Sequence, residues 1–408
     1  MKYGILLGAF LLSPLLVSAP AAAQSEALDA DAIQKLKDEA DKLIDQNEHE
    51  KLVKVYRQLA DVNDPIGVNG VAIAYSNGEG LDKDPKEAFR WFSRAAALKH
   101  PPAITSVGLS YEQGDGVDKD LEEANRLYQK AAALGDARAM YFLGLNYQQA
   151  IGFEKDLTEA QKWFQMGANA GNGSSMFQLG SAYQDGEGVE KDDVKSVYWY
   201  TKAASLDNGA ASFALGSIYE FGTNGVSRND DVAFIWYKKA AELGDRDAFN
   251  NLAAFYEDGR GTEKNIEKAL KWYRKGVEVE EEYAMANLGM IYLNGEHVKK
   301  DVKKGEALIN KAIEAGSSYA MVKLAVAYED GIGLETDRGK STKLLREAAG
   351  MDNALAMRYL GINYEEGIGV LKDYNTAKSW YEKAIAEGDS EAEGLYDLLV
   401  KKMAKKAE

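Results

Sequence analysis

Residues 137–172 read ARAMYFLGLNYQQAIGFEKDLTEAQKWFQMGANAGN. Ala139, Leu143, Gly144 and Tyr147 fall at i, i+4, i+5 and i+8, one face of an α-helix, here called helix A. A glycine-bearing turn follows, and Asp156 opens a second stretch. There Ala160, Trp163, Phe164 and Gly167 fall at i, i+3, i+4 and i+7, one face of a second helix, helix B. The segment is predicted to fold as a helical hairpin.

The same hairpin recurs along the chain. Its tyrosine returns as Tyr75, Tyr111, Tyr147, Tyr183, Tyr219, Tyr256, Tyr292, Tyr328 and Tyr364, at intervals of 36 residues with a single 37. All six tryptophans (Trp91, Trp163, Trp199, Trp236, Trp272, Trp380) share the helix-B phase of Trp163. A fixed period of this length is the signature of stacked repeats. The expected fold class is all-α, an α/α solenoid (superhelix) of nine 36-residue hairpins over residues 65–389. Residues 24–64 are expected to form an N-terminal helical cap and 390–408 a capping helix, since a solenoid must close its apolar ends.

Each recurring position has a physical reason. Four before the leucine of helix A the residue is always small, from Gly67 and Ala103 to Ala356, and the early helix-B position repeats that choice from Ala88 to Ala377. Small residues let helices approach closely, and the Trp and Tyr rings are expected to fill the space between layers. On this pattern Trp199 is expected to be buried. Gly-x-Gly pairs such as Gly186 and Gly188 end helix A where positive φ is needed. Asp84, Asp120, Asp156, Asp192, Asn229, Asn265, Asp301, Asp337 and Asp373 follow as N-caps of helix B. In the first repeat Pro85 stands at the first helical position and Glu87 would complete a capping box. Ala150 and His297 stand where other repeats carry a turn glycine, and histidine tolerates positive φ better than most residues.

These motifs, Leu179-Gly180-x-x-Tyr183, Gly186-x-Gly188-Val189, Asp192 and Trp199-Tyr200-x-Lys202-Ala203-Ala204, resemble the Sel-1-like repeat family, relatives of tetratricopeptide repeats. The resemblance covers nine units over residues 65–389. It implies a scaffold whose helix A lines a concave groove for a polypeptide. Function still has to be argued from the site.

Lys2, the apolar run Gly4 to Val17 and Ala21-Ala22-Ala23 form a signal-peptide pattern over residues 1–23. The run is too short for a stable membrane span. A periplasmic or secreted chain is therefore expected, cleaved near Ala23. No cysteine occurs, which excludes disulfides, thiolate metal sites and cysteine nucleophiles. The formal net charge of −16 argues against nucleic-acid partners and adsorption to anionic lipid.

Catalytic motifs are missing. No serine has lysine three residues on, and there is no nucleophile elbow, His-Glu-x-x-His or phosphate loop. The three histidines, His49, His100 and His297, occupy unrelated repeat phases. The acidic turns lack calcium-loop spacing. The chain is therefore expected to be non-enzymatic, with no catalytic residue, metal site or cofactor. The resemblance carries an alternative of another class: a cysteine-rich bacterial branch of the family is associated with β-lactam binding and hydrolysis. Small-molecule or cell-wall-fragment binding or hydrolysis is thus the second reading.

Carried over through Leu-Gly-x-x-Tyr, the resemblance places particular residues on the groove wall. Two before the leucine stand Tyr141, Phe177, Phe213 and Asn250. Just after the tyrosine stand Glu112, Glu220, Glu257, Glu329 and Glu365. Residues such as Leu145 and Met290 follow the glycine. An aromatic and apolar floor with an acidic rim implies a protein or peptide partner, basic or amphipathic, in an envelope or secreted complex.

Overall fold

The computed structural model describes residues 28–407. The leader and cleavage site expected at residues 1–23 lie outside the described residues. The chain divides between Asp136 and Ala137 into two compact units. The first contains α1 (Ala30–Asp45), α2 (His49–Asp61), α3 (Pro65–Asn77), α4 (Pro85–Ala97), α5 (Pro101–Gln113) and α6 (Leu121–Ala133). The second begins with α7 (Ala137–Gln149), α8 (Leu157–Asn169), α9 (Gly173–Asp185), α10 (Asp193–Ala204), α11 (Gly209–Phe221), α12 (Asp230–Glu242) and α13 (Ala248–Asp258). It continues with α14 (Ile266–Glu278), α15 (Glu282–Asn294), α16 (Val302–Glu314), α17 (Ser318–Asp330), α18 (Arg338–Ala349), α19 (Ala354–Glu366), α20 (Tyr374–Ala386) and α21 (Ser390–Ala407). Among the described residues no strand occurs, and the fold class is the α/α solenoid.

In both units consecutive helices pack as antiparallel neighbours, and each helix A packs most extensively on the helix B that follows it. The small positions explain the closeness. Ala103, Ala139, Ser175, Ala211, Ala248, Ala284, Ala320 and Ala356 are all fully buried. So are Ala124, Ala160, Ser196, Ala233 and Ala377. In the first unit α1 and α2 form the expected capping hairpin around Ala40, Leu43, Val55 and Leu59. In the second, α21 closes the end, burying Ala392 and Leu399 against the cluster that holds Leu360, Tyr381 and Ala384.

The turn chemistry follows the sequence at every repeat. All nine expected N-caps accept a backbone N–H of helix B through a side-chain oxygen. Each N-cap's own N–H donates to the carbonyl of its repeat tyrosine, as in Asp192 to Tyr183 at 2.8 Å. That bond displaces the capping box expected at Glu87. The Asp84 amide goes to Tyr75 at 2.9 Å, and Glu87 pairs with Arg90 instead.

Gly188 shows why the turn needs its second glycine. Its φ is +72°, and a Cβ there would lie 2.5 Å from the carbonyl oxygen of Leu157, where helix B of the preceding repeat begins. Ala150 takes φ +60° at a first-glycine position, so only a modest strain is accepted there. His297 does not share this geometry. It is not among the positive-φ residues, because Gly295 alone supplies the left-handed residue of that turn.

The tryptophans are rim residues, not the buried core expected from their spacing. Trp199 is half-buried, like the other five, and packs on the edge of the cluster that contains Phe164, Leu179 and Tyr200. The core position is the next residue: Phe92 and Tyr128 in the first unit, and Phe164, Tyr200, Tyr237, Tyr273, Ile309, Leu345 and Tyr381 in the second. One residue along a helix turns a side chain by about 100°, enough to exchange core for rim.

Candidate functional site

Helix A supplies the candidate surface, and the second unit carries most of it. Tyr141, Phe177 and Phe213 are half-buried. Each leans on the core aromatic of its own repeat, with ring centroids 6.1 Å (Phe164), 5.6 Å (Tyr200) and 5.6 Å (Tyr237) apart. One side of each ring is therefore structural, and the remainder is available to solvent. Leu145 and Met290, expected beside them, are likewise half-buried.

The fourth member of the column, Asn250, starts a polar ladder across three repeats. Its Nδ2 donates to Asn251 at 3.2 Å, and its Oδ1 accepts from Asn287 Nδ2 at 2.9 Å. Asn287 Oδ1 in turn accepts from the Tyr319 hydroxyl at 2.8 Å. Tyr283 and Tyr319 are 5.0 Å apart, and Lys323 Nζ stands 5.0 Å from the Tyr319 ring.

The glutamates are tied inward. The core tyrosine of helix B donates its hydroxyl to the helix-A glutamate of the same repeat: Tyr237 to Glu220 at 2.7 Å, Tyr273 to Glu257 at 2.7 Å and Tyr381 to Glu365 at 3.0 Å. In the first unit Tyr128 donates to Glu112 at 3.1 Å. Burial, reinforced by these carboxylates, pushes the Tyr237 and Tyr273 hydroxyls up, so they stay protonated donors. Glu329 lacks such a tyrosine, because its repeat has Leu345 there. It accepts from Ser341 Oγ and from Asn363 Nδ2, both at 3.1 Å. The five acids thus form inward clasps rather than a freely solvated rim, and Glu220 is only 8% exposed.

Two of them also hold cations from the chain itself. Arg260 Nη1 lies 2.7 Å from Glu220 Oε1, and Lys402 Nζ lies 3.0 Å from Glu365 Oε1. Lys402 belongs to α21, the capping helix expected over residues 390–408.

A cleft of about 330 Å³ opens beside Glu257. Asp258, Asn287, Met290, Ile291, Asn294, Glu296, His297, Lys323 and Ile332 complete its lining. Of these, only Glu257 and Met290 are placed on the groove wall by the sequence, which reads His297 as a turn residue. The signal it missed is the residue between the two turn glycines, which reaches back to the preceding repeat. Among the described residues no group of three or more His, Cys, Asp or Glu is placed to hold a metal ion. No helix there is long and apolar enough to cross a membrane.

The Sel1 repeat family matches residues 66–100, 101–136, 137–172, 173–208, 209–245, 247–278, 282–317, 318–353 and 354–389. Among solved structures the chain is similar to c5321, described as a protective antigen of uropathogenic Escherichia coli displaying an SLR fold. That match has 28% identity and a TM-score of 0.65, covering 91% of this chain and 80% of the other. It is also similar to a Sel1 repeat protein from Oxalobacter formigenes, with 32% identity and a TM-score of 0.54, covering 60% of this chain and 99% of that one. No curated protein matches the sequence. A repeat scaffold of this kind serves protein–protein interaction. With nine matched repeats between residues 66 and 389, the chain belongs to the Sel1 repeat family.

Proposed function

We propose that this chain is an exported, non-enzymatic scaffold that binds a basic or amphipathic polypeptide along the helix-A face of its second unit. The observation that carries this reading is the column of half-exposed Tyr141, Phe177, Phe213 and Asn250, whose last two repeats also carry the helix-A carboxylates Glu220 and Glu257. Rigid aromatic rings held by core partners are pre-ordered contact area, which lowers the entropic cost of binding. Carboxylates that already hold Arg260 and Lys402 of the chain itself support a cationic partner. The description of the Escherichia coli relative as a protective antigen supports export, and so does the leader pattern of residues 1–23.

The test uses the full chain carrying a C-terminal tag in its own cells, with fractionation, crosslinking and affinity capture. The mature N-terminus is expected at Gln24, in the envelope or the medium. One defined protein should be captured at low salt, lost as salt rises, and lost from a variant with Phe177→Ser and Phe213→Ser that melts like the parent. Glu220 is left intact in that design, because its carboxylate holds Arg260 at 2.7 Å. Capture that ignores both the salt and the two phenylalanines would refute this face as the binding surface. An unprocessed N-terminus in the cytoplasm would refute export.

A further inference from the structure

Successive repeats of the second unit meet at a repeated junction. The residue following the repeat tyrosine faces the residue that lies between the two turn positions of the next repeat. At two of these junctions the contact is complementary. Gln148 Nε2 donates to Glu187 Oε2 at 3.5 Å, and Glu220 meets Arg260 at 2.7 Å. At the end of the array, where no further repeat follows, Lys402 of α21 fills the cation's role for Glu365 at 3.0 Å.

The junction between α13 and α15 breaks the pattern. The equivalent of the Glu220–Arg260 pair is Glu257 with Glu296, two acids lining one cleft, joined by Asp258. The place that Arg260 occupies one repeat earlier is held here by a residue of the wrong sign, and about 330 Å³ stands open. Its lining suits one kind of occupant. Met290, Ile291 and Ile332 offer an apolar bed for an alkyl stem, while Glu257 and Glu296 face Lys323 and His297 at the polar end, and Asp258 is already paired with Arg260 at 3.7 Å. Asn287 and Asn294 add amides fixed by neighbours: Asn287 by Asn250 and Tyr319, Asn294 by Glu296 at 3.1 Å. The acids are not gathered as a metal site among the described residues.

We infer that this cleft receives an arginine or lysine side chain of the polypeptide partner, which supplies from outside the cation that Arg260 and Lys402 supply elsewhere from within. The guanidinium or ammonium group meets Glu257 and Glu296, and the stem lies along Met290 and Ile332. This deepens the scaffold reading and rests on it.

The probe is the blocked tripeptide acetyl-Leu-Arg-Leu-amide, titrated into the full chain and followed by the side-chain amide signals of Asn287 and Asn294. Its control carries citrulline, which keeps the shape of arginine without its charge. The arginine peptide should saturate with affinity at least about tenfold above the citrulline peptide. Glu257→Gln with Glu296→Gln should abolish that difference while leaving the melting temperature near the parent's. Glu296→Arg should rebuild the missing pair, raise the melting temperature and block the probe. Equal binding of both peptides, no perturbation at Asn287 and Asn294, or unchanged arginine binding in the Gln variant would each overturn the inference. The capture experiment remains separate: a partner that still needs Phe177 and Phe213 would leave the scaffold standing without this cleft.

Discussion

Tyr200 and Trp199 are adjacent in sequence and unequal in structure. The Tyr200 ring is buried and its hydroxyl donates to Gln184 at 2.9 Å, whereas Trp199 is half-buried at the rim of the same cluster. Tyr200→Ala is expected to cost about 3–5 kcal/mol and Trp199→Ala only about 1–2 kcal/mol, as read from thermal or urea melts. A larger loss at Trp199 would contradict the assignment of the core position. Gly180 is the counterpart across the hairpin: a Cβ there would lie 2.5 Å from the Tyr200 ring. Gly180→Ala should therefore destabilise by about 1–3 kcal/mol despite the better helix propensity of alanine.

Glu281 carries the clearest pH dependence. It caps α15, accepting the N–H groups of Tyr283 at 3.1 Å and Ala284 at 2.5 Å, and it is 2% exposed. Loss of hydration pushes its carboxyl up from 4.5 to about 7, against the opposing effect of those two bonds. The folded chain then holds this proton more tightly than the unfolded chain. Its contribution to stability is fully present below about pH 4.5, falls as pH rises towards 7, and stays low above. Glu281→Gln should gain on the parent by about 1–3 kcal/mol at pH 8 and gain little at pH 4.5. A difference between the two proteins that does not change with pH would refute the buried, proton-holding state.

At the scale of the element, the hairpin is set by local chemistry repeated nine times. Asp156 caps α8 through Glu159 N–H at 2.9 Å, while its own amide closes on Tyr147 at 3.0 Å. Asp156→Ala is expected to cost about 1 kcal/mol and Asp156→Asn much less, since asparagine keeps the acceptor. Helices, caps and turn glycines were legible in the sequence because each depends on residues within a few positions. Partner choice was not. Glu87 was open to its own cap or to Arg90, and a carbonyl nine residues before Asp84 decided the matter by taking the cap's amide. His297 looked like a substitute for a left-handed glycine, yet Gly295 alone provides that geometry in its turn.

For the whole molecule, the ends matter as much as the repeats. Leu399 and Ala392 of α21 cover the last hairpin, and Lys402 neutralises Glu365. Deleting residues 390–408 should lower the melting temperature by several degrees and raise susceptibility to proteolysis around α19 and α20. An unchanged melt would show that the helix is dispensable to the fold. The sequence by itself determined the period, the hairpin, its caps and the family, because spacing and turn chemistry are local and were stated nine times over. Only the tertiary structure decided which face of helix B becomes core, that the helix-A glutamates are clasped by tyrosines sixteen or seventeen residues away, and which of them find a cation. Those outcomes depend on how one repeat meets the next. The same glutamate can lie against Arg260 or beside Glu296 according to a residue about 40 positions further along the chain, and only packing brings the two together.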